Sequence, residues 1–233
     1  MAFTIYKVMA TKSPCYKEAR AMTPTGIVVH STGANNPNLK RYVQPDDGNI
    51  GNNIYNNSVN NANCRVITHA YIGKDKNGVV KCYQVLPFNI ACWGVGSSSK
   101  GSYNYNPTGR IQFEICEDGL KDEKYFNEAF NCAAEFCAYL CKQYGWGVDK
   151  ICSHKEAHAQ GYGSNHGDPE NWLSKHGKTM NWFRDKVKAI LNANNKETIY
   201  RVQVGAFSNK AYAENMLADL KKHGYNGFIV ESK

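Results

Sequence analysis

Apolar and polar positions change their period several times along this chain, and each change marks an element. Residues 26–32, reading GIVVHST, form an apolar run that ends on a histidine and two small hydroxyl residues. A short run of this kind predicts a buried strand with His30 at its tip. Residues 65–73 and 79–85 flank a KDKNG turn, and Asn77-Gly78 between apolar runs is the strongest local signal of a β-hairpin. Arg110 to Glu117 predicts a further strand, with Glu114 set between Phe113 and Ile115. Phe126, Ala129, Phe130, Ala133, Phe136, Cys137, Leu140, Cys141 and Tyr144 then recur at three and four residues. That spacing predicts an amphipathic helix packed on the sheet and ended by the Gly145–Gly147 region. Met180, Phe183, Val187, Ile190 and Leu191 predict a second helix, with Trp182 on its flank.

Polar stretches separate these elements. Residues 1–22 mix polar and apolar positions and are assigned to the domain surface. Residues 49–63 hold eight asparagines in fifteen positions. Asparagine competes with the backbone for hydrogen bonds, so this is read as loop, with a grip on ligand by its amides as the alternative. Residues 193–198 read as a linker. Beyond it, Tyr200–Phe207 alternates on a period of two, Ser208 is the expected N-cap, and Ala213, Met216, Leu217 and Leu220 form a short helical stripe before Gly224. Phe228–Val230 predicts a closing strand. The fold class expected is α/β: a central mixed β-sheet with flanking helices over residues 1–192, and a small βαβ module over 199–233.

Composition narrows the setting. A chain of 233 residues suits one domain of ordinary size with a small appendage, and 42% apolar residues is enough for a packed core. No apolar run reaches the ~18 residues of a membrane span. The start MAFTIYKVMATKSP lacks a basic end followed by a long apolar core, so synthesis in a cytoplasm without a signal peptide is expected. Nine cysteines, an odd number in apolar settings with no CxxC pair, read as reduced core residues. The net charge of +8 attracts polyanions, yet the basic residues are scattered and no nucleic-acid motif accompanies them.

Candidate chemistry gathers in Cys152–Pro169, CSHKEAHAQGYGSNHGDP, which carries His154, His158, His166 and Asp168. Histidine and carboxylate suit zinc, and a catalytic zinc keeps three protein ligands and one open position. His30, His154 and Asp168 would make such a site. The competing readings are ordinary: a histidine ending a strand is more often a satisfied polar residue. His154 and His158 stand four apart, but Lys155 occupies the place where the zinc-protease motif H-E-x-x-H needs glutamate. Glu114 inside an apolar strand is costly unless paired. A nearby dication would keep it ionised for base catalysis, and a salt bridge to Arg110 is the alternative. Glu117 and Asp118 read as a solvated strand end.

The blocks IVVHST, IQFEICED at 111–118, CSHKEA and GDPENW at 167–172, in this order, resemble the type 2 N-acetylmuramoyl-L-alanine amidases. That family includes phage lysins, bacterial autolysins and peptidoglycan recognition proteins, and the resemblance covers roughly residues 20–190. It implies zinc held by His30, His154 and Asp168, with Glu114 as the catalytic carboxylate, and cleavage of the amide between N-acetylmuramic acid and L-alanine. It also implies a donor to the oxyanion two residues before the last ligand, where relatives often carry lysine and this chain has His166. His69 occupies a position usually filled by histidine and is assigned a supporting or structural part. Trp93 in ACWGVG either packs the core or stacks on a sugar ring. The rival reading is a non-catalytic peptidoglycan receptor on the same fold, which would lack a metal ligand.

YRVQVGAFSNKAYAE resembles half of a sporulation-related repeat domain, a module that binds peptidoglycan glycan strands elsewhere. Only one of the usual two βαβ units is present, so a homodimer through 199–230 is expected to complete the sheet. Partners implied by the resemblance are bacterial peptidoglycan and anionic wall polymers, reached after release from the cell as a phage endolysin or an autolysin.

Overall fold

The computed structural model describes residues 3–194 and 202–231. The chain separates into two compact units, Met1–Asn195 and Lys196–Lys233.

In the first unit six strands form one mixed sheet: β1 (Ile5–Lys7), β2 (Ile27–Ser31), β3 (Ala70–Lys74), β4 (Val80–Gln84), β5 (Ile111–Ile115) and β6 (Ile151–Ser153). Their order is β1-β4-β3-β5-β2-β6, and only β3 and β4 run antiparallel. That pair is the predicted hairpin, closed by Gly78 at φ +79° and by Asp75, whose carboxylate accepts from the Asn77 and Val79 N–H groups. The amino-terminal stretch departs from expectation. Residues 5–7 add the edge strand β1 to β4, Pro14–Glu18 forms a short helix α1, and Val8, Ala10, Cys15 and Met22 are buried.

Helix α2 (Glu123–Tyr144) runs along one face of the sheet. The Asp122 side chain caps its first turn, and Gly145 at φ +69° ends it in the left-handed conformation that glycine adopts without strain. Its stripe of Phe126, Phe130, Phe136 and Leu140 packs with Ile27, Val29, Ile111, Phe113 and Ile115. Helices α3 (His154–Ala159), α4 (Glu170–Lys175) and α5 (Met180–Asn194) follow, with α5 lying against α2 and Trp172 and Phe183 fully buried between elements. All nine cysteines are free, seven of them buried. The asparagine-rich segment is irregular, held by turns such as Asn61 Oδ1 accepting from Asn63 N–H. Among the described residues no helix is long and apolar enough to cross a membrane.

The second unit holds helix α6 (Lys210–Lys222), capped by Asn209 rather than the expected Ser208. Residues 202–207 and 225–231 flank it without pairing, so the two strands expected around the helix have no ladder partner here. Alternation fixes which side chains share a face but supplies no partner strand, and a lone two-strand unit is marginal in water. The predicted linker is helical at residues 193 and 194, and its remainder lies outside the described residues, as do Tyr200 and Arg201.

Candidate active site

Period-two geometry divides β2 and β5. Ile27, Val29, Ile111 and Phe113 face α2, so the residues between them face the other way. Parallel register sets Val28 beside Gln112 and His30 beside Glu114, and Tyr71 of β3 lies beside Glu114 from the other side. His30 and Gln112 are almost fully buried. One Glu114 oxygen, Oε2, is shielded from solvent and has no hydrogen-bond partner. Burial, then repulsion from Asp168 and Glu117, pushes its carboxyl well above the usual range. Arg110, the sequence alternative as partner, instead lies over the Tyr103 ring at 3.9 Å and donates to the Lys150 carbonyl.

The other side chains come from the segment after β6. Ser153 caps α3: its hydroxyl accepts from Glu156 N–H, and the Glu156 carboxylate accepts from Ser153 N–H. Arg184 from α5 grips that carboxylate with bonds of 2.8 and 3.0 Å. This reciprocal box puts His154 at the first helical position and fixes its backbone. Asp168 then projects between the histidines: Oδ2 lies 3.2 Å from His30 Nδ1, and Oδ1 lies 3.3 Å from His154 Nδ1. The His30 and His154 rings meet edge to face with centroids 4.7 Å apart. One ligand atom from each of His30, His154 and Asp168 falls within 4.8 Å of the others. Burial would raise the Asp168 carboxyl, but its close contacts with His154 and His30 outweigh this and hold it far below the ordinary value. Two imidazoles and one ionised carboxylate converging at this spacing are the donor set that zinc takes, so the residues fit that ion.

A family model described as N-acetylmuramoyl-L-alanine amidase matches residues 20–171. The chain belongs to that family. A SPOR domain model matches residues 181–233, beginning within α5. Among solved structures, the amidase resembles the Staphylococcus aureus hydrolase AmiA in complex with its ligand, at 19% identity and a TM-score of 0.57 over 83% of this chain and 86% of that one. The PlyG catalytic domain aligns at 22% identity and 0.56, covering 85% and 100%. A mutant endolysin from Bacillus subtilis aligns at 22% and 0.53, covering 79% and 99%. These likenesses show the fold. No curated protein sequence matches the chain.

His166 is 61% exposed; its ring stacks on His154 at 4.5 Å, and its Nδ1 is 3.8 Å from Asp168 Oδ1. His158 turns away and bonds the Gly163 carbonyl at 3.0 Å. His69 is fully buried outside the cluster, bonded to the Ile90 carbonyl and Gln112 N–H, and burial pushes its pKa down to about 4. Trp93 is 39% exposed with the Arg65 guanidinium 5.4 Å from its ring centroid, so it is not a core residue.

Glu117 corrects the sequence reading. It is buried, not a solvated strand end: Ser31 Oγ donates to its carboxylate, and burial raises its pKa. Reading the sequence also passed over two polar residues behind the cluster. Gln112 Oε1 lies 3.0 Å from His30 Nε2, and Ser164 Oγ lies 3.2 Å from His154 Nε2. The polar Gln112 inside an apolar strand, on the face of Glu114, was the available signal for the first.

Proposed function

We propose that this amidase is a zinc-dependent peptidoglycan hydrolase that cleaves the amide between N-acetylmuramic acid and L-alanine of the stem peptide. The observation that carries the reading is the convergence of His30, His154 and Asp168 beside Glu114, whose shielded Oε2 has no hydrogen-bond partner. Bound there, zinc would supply Lewis acidity, polarising the amide carbonyl and acidifying water. Glu114 accepts the proton of the attacking water: its raised pKa reflects a site that welcomes a proton, and the nearby cation would bring it back toward the working range. His166, exposed over His154, donates an N–H to the oxygen of the tetrahedral intermediate. The protein acts as a phage endolysin or autolysin on the wall after release from the cell.

The rival receptor reading requires a missing ligand, whereas all three candidates are present and adjacent. Digesting purified peptidoglycan and weighing the products tests the assignment. New free L-alanine amino termini together with stoichiometric zinc support it. Intact amides with an active wall-binding chain would leave the receptor.

For the second unit we infer glycan binding and self-association through residues 199–230. None of its described residues is buried, and Val202, Val204, Phe228 and Val230 stand exposed on the two unpaired segments. A second copy would offer both the apolar cover and the missing ladder in one two-fold contact. Light scattering is expected to give a dimer for the full chain and a monomer for a chain ending at Asn194. Two monomers at micromolar concentration would overturn the dimer. The net charge of +8 favours anionic wall polymers as a further, salt-sensitive attraction.

A further inference from the structure

The geometry points to Gln112 and Ser164 as a matched pair of positioning residues that hold both cluster histidines in the Nε2–H tautomer, with the loop Trp93–Gly96 as their common frame. The inference rests on the metal reading of His30, His154 and Asp168.

Asn104 Oδ1 lies 3.1 Å from both the Gly94 and the Val95 N–H groups. Those groups can only donate, so this atom must be the amide oxygen. Gln112 Nε2 lies 2.9 Å from that oxygen and 3.1 Å from the Tyr103 carbonyl. Two acceptors on one side fix the Gln112 amide with its NH₂ toward them, so Oε1 is what faces His30 at 3.0 Å. His30 must therefore donate from Nε2. A neutral imidazole carries one ring proton, so Nδ1 turns a lone pair toward Asp168.

The second chain reaches the same result. Ser164 Oγ lies 3.1 Å from the Val95 carbonyl, which can only accept, and the Ser164 N–H bonds that same carbonyl at 2.8 Å. The hydroxyl proton is thus committed, and Ser164 Oγ is left to accept from His154 Nε2 at 3.2 Å. His154 Nδ1 also turns a lone pair toward Asp168. Both histidines arrive at the carboxylate with their protons already spent on the far side, an arrangement that asks for a cation between them.

Both chains end on the Val95 peptide groups, and the two flanking glycines are needed for them to close. A Cβ at Gly94 would stand 2.5 Å from Gln112 Oε1, and one at Gly96, where φ is +67°, would stand 2.7 Å from Ser164 Oγ. A side chain at either place would push aside the atom that receives the histidine proton. Partners of this kind typically alter metal affinity by about 10–100-fold.

The test is imidazole ¹⁵N NMR on the full chain stripped of metal, with zinc affinity measured by chelator competition. Wild type is expected to show Nε2–H for His30 and His154. Ser164→Ala should shift His154 alone toward Nδ1–H and weaken zinc about 10–100-fold, while His30 keeps its signature. Gln112→Leu should do the reverse. Ser164, at the surface end of its chain, keeps the test open if the Gln112 variant fails to fold. Nδ1–H in either wild-type histidine, or unchanged tautomer and affinity in Ser164→Ala, would overturn the inference. None of these readouts requires wall hydrolysis, so an inactive but correctly tautomeric protein would count against the enzymatic reading alone.

Discussion

The two faces of β2 and β5 come from alternate residues of the same strands and serve opposite ends. On one, Ile27, Val29, Ile111, Phe113 and Ile115 are wholly removed from water beneath α2. That burial is worth about 25 cal/mol per Å² of apolar surface, spread over many contacts. On the other, His30, Gln112 and Glu114 hold polar atoms out of solvent, where each depends on one or two directed bonds or lacks a partner. A step of one residue therefore moves from a region governed by volume to one governed by direction. Substitutions on the α2 face should change stability, and those on the opposite face should change metal and turnover.

The largest effect expected on the polar face is from His154→Ala. Loss of one of three ligands should abolish both stoichiometric zinc and wall lysis while the chain stays folded. Lysis by a zinc-free His154→Ala protein would end the metal assignment. Glu114→Gln should keep zinc and lose turnover by roughly 10²–10⁴-fold, the usual share of general acid–base catalysis. Near-normal rates would return Glu114 to a structural part. Across the strand, Phe113→Ala should cost about 3–5 kcal/mol by transfer and cavity formation. Zinc affinity of its folded fraction should be close to wild type, and a large loss there would break the separation of the faces.

The smallest effect belongs to neither face. Asp75 at the hairpin turn is pushed up by burial, but Lys81 at 2.7 Å and the Val79 and Asn77 N–H groups outweigh this and lower its pKa. A carboxyl lowered on folding stabilises the protein above its unfolded value, about 3.9. That stability is lost as pH falls through the folded value. Asp75→Asn should therefore cost about 1–3 kcal/mol at neutral pH, with a gap that narrows in acid. Urea unfolding at pH 7 and pH 3 measures it, and a gap that widens in acid would contradict the sign.

Elements with several turns of their own period were legible in the sequence. The α2 stripe, the core of α5, β2, β5 and the Asn77-Gly78 hairpin all declare themselves within a dozen or so residues. Strands β1 and β6 have three residues each, too few to establish alternation, and exist because a neighbour completes their ladders. The unpaired segments of the second unit show the converse, a clear alternation with no neighbour to use it. At the site, residue type was enough to nominate His30, His154 and Asp168 because few side chains take metals. Glu117 escaped since its cover comes from Ser31, 86 positions away, and Ser164 escaped since a serine in a Gly-Ser-Asn loop carries no local signal.

The cysteines bear on how this protein tolerates oxidants and alkylating agents. Burial raises the thiols of all nine, to about 11 at Cys15 and Cys141, to about 12 at Cys132 and Cys152, and well above the usual value at Cys82, Cys92, Cys116 and Cys137. Thiolate is the species that peroxide, alkylating agents and disulfides attack. At neutral pH almost none is present, and seven of the nine cysteines are buried among packed side chains. The folded chain should thus resist scrambling into crosslinked forms in air. Cys64, half-exposed in the asparagine-rich loop, is the place where a maleimide would first find purchase.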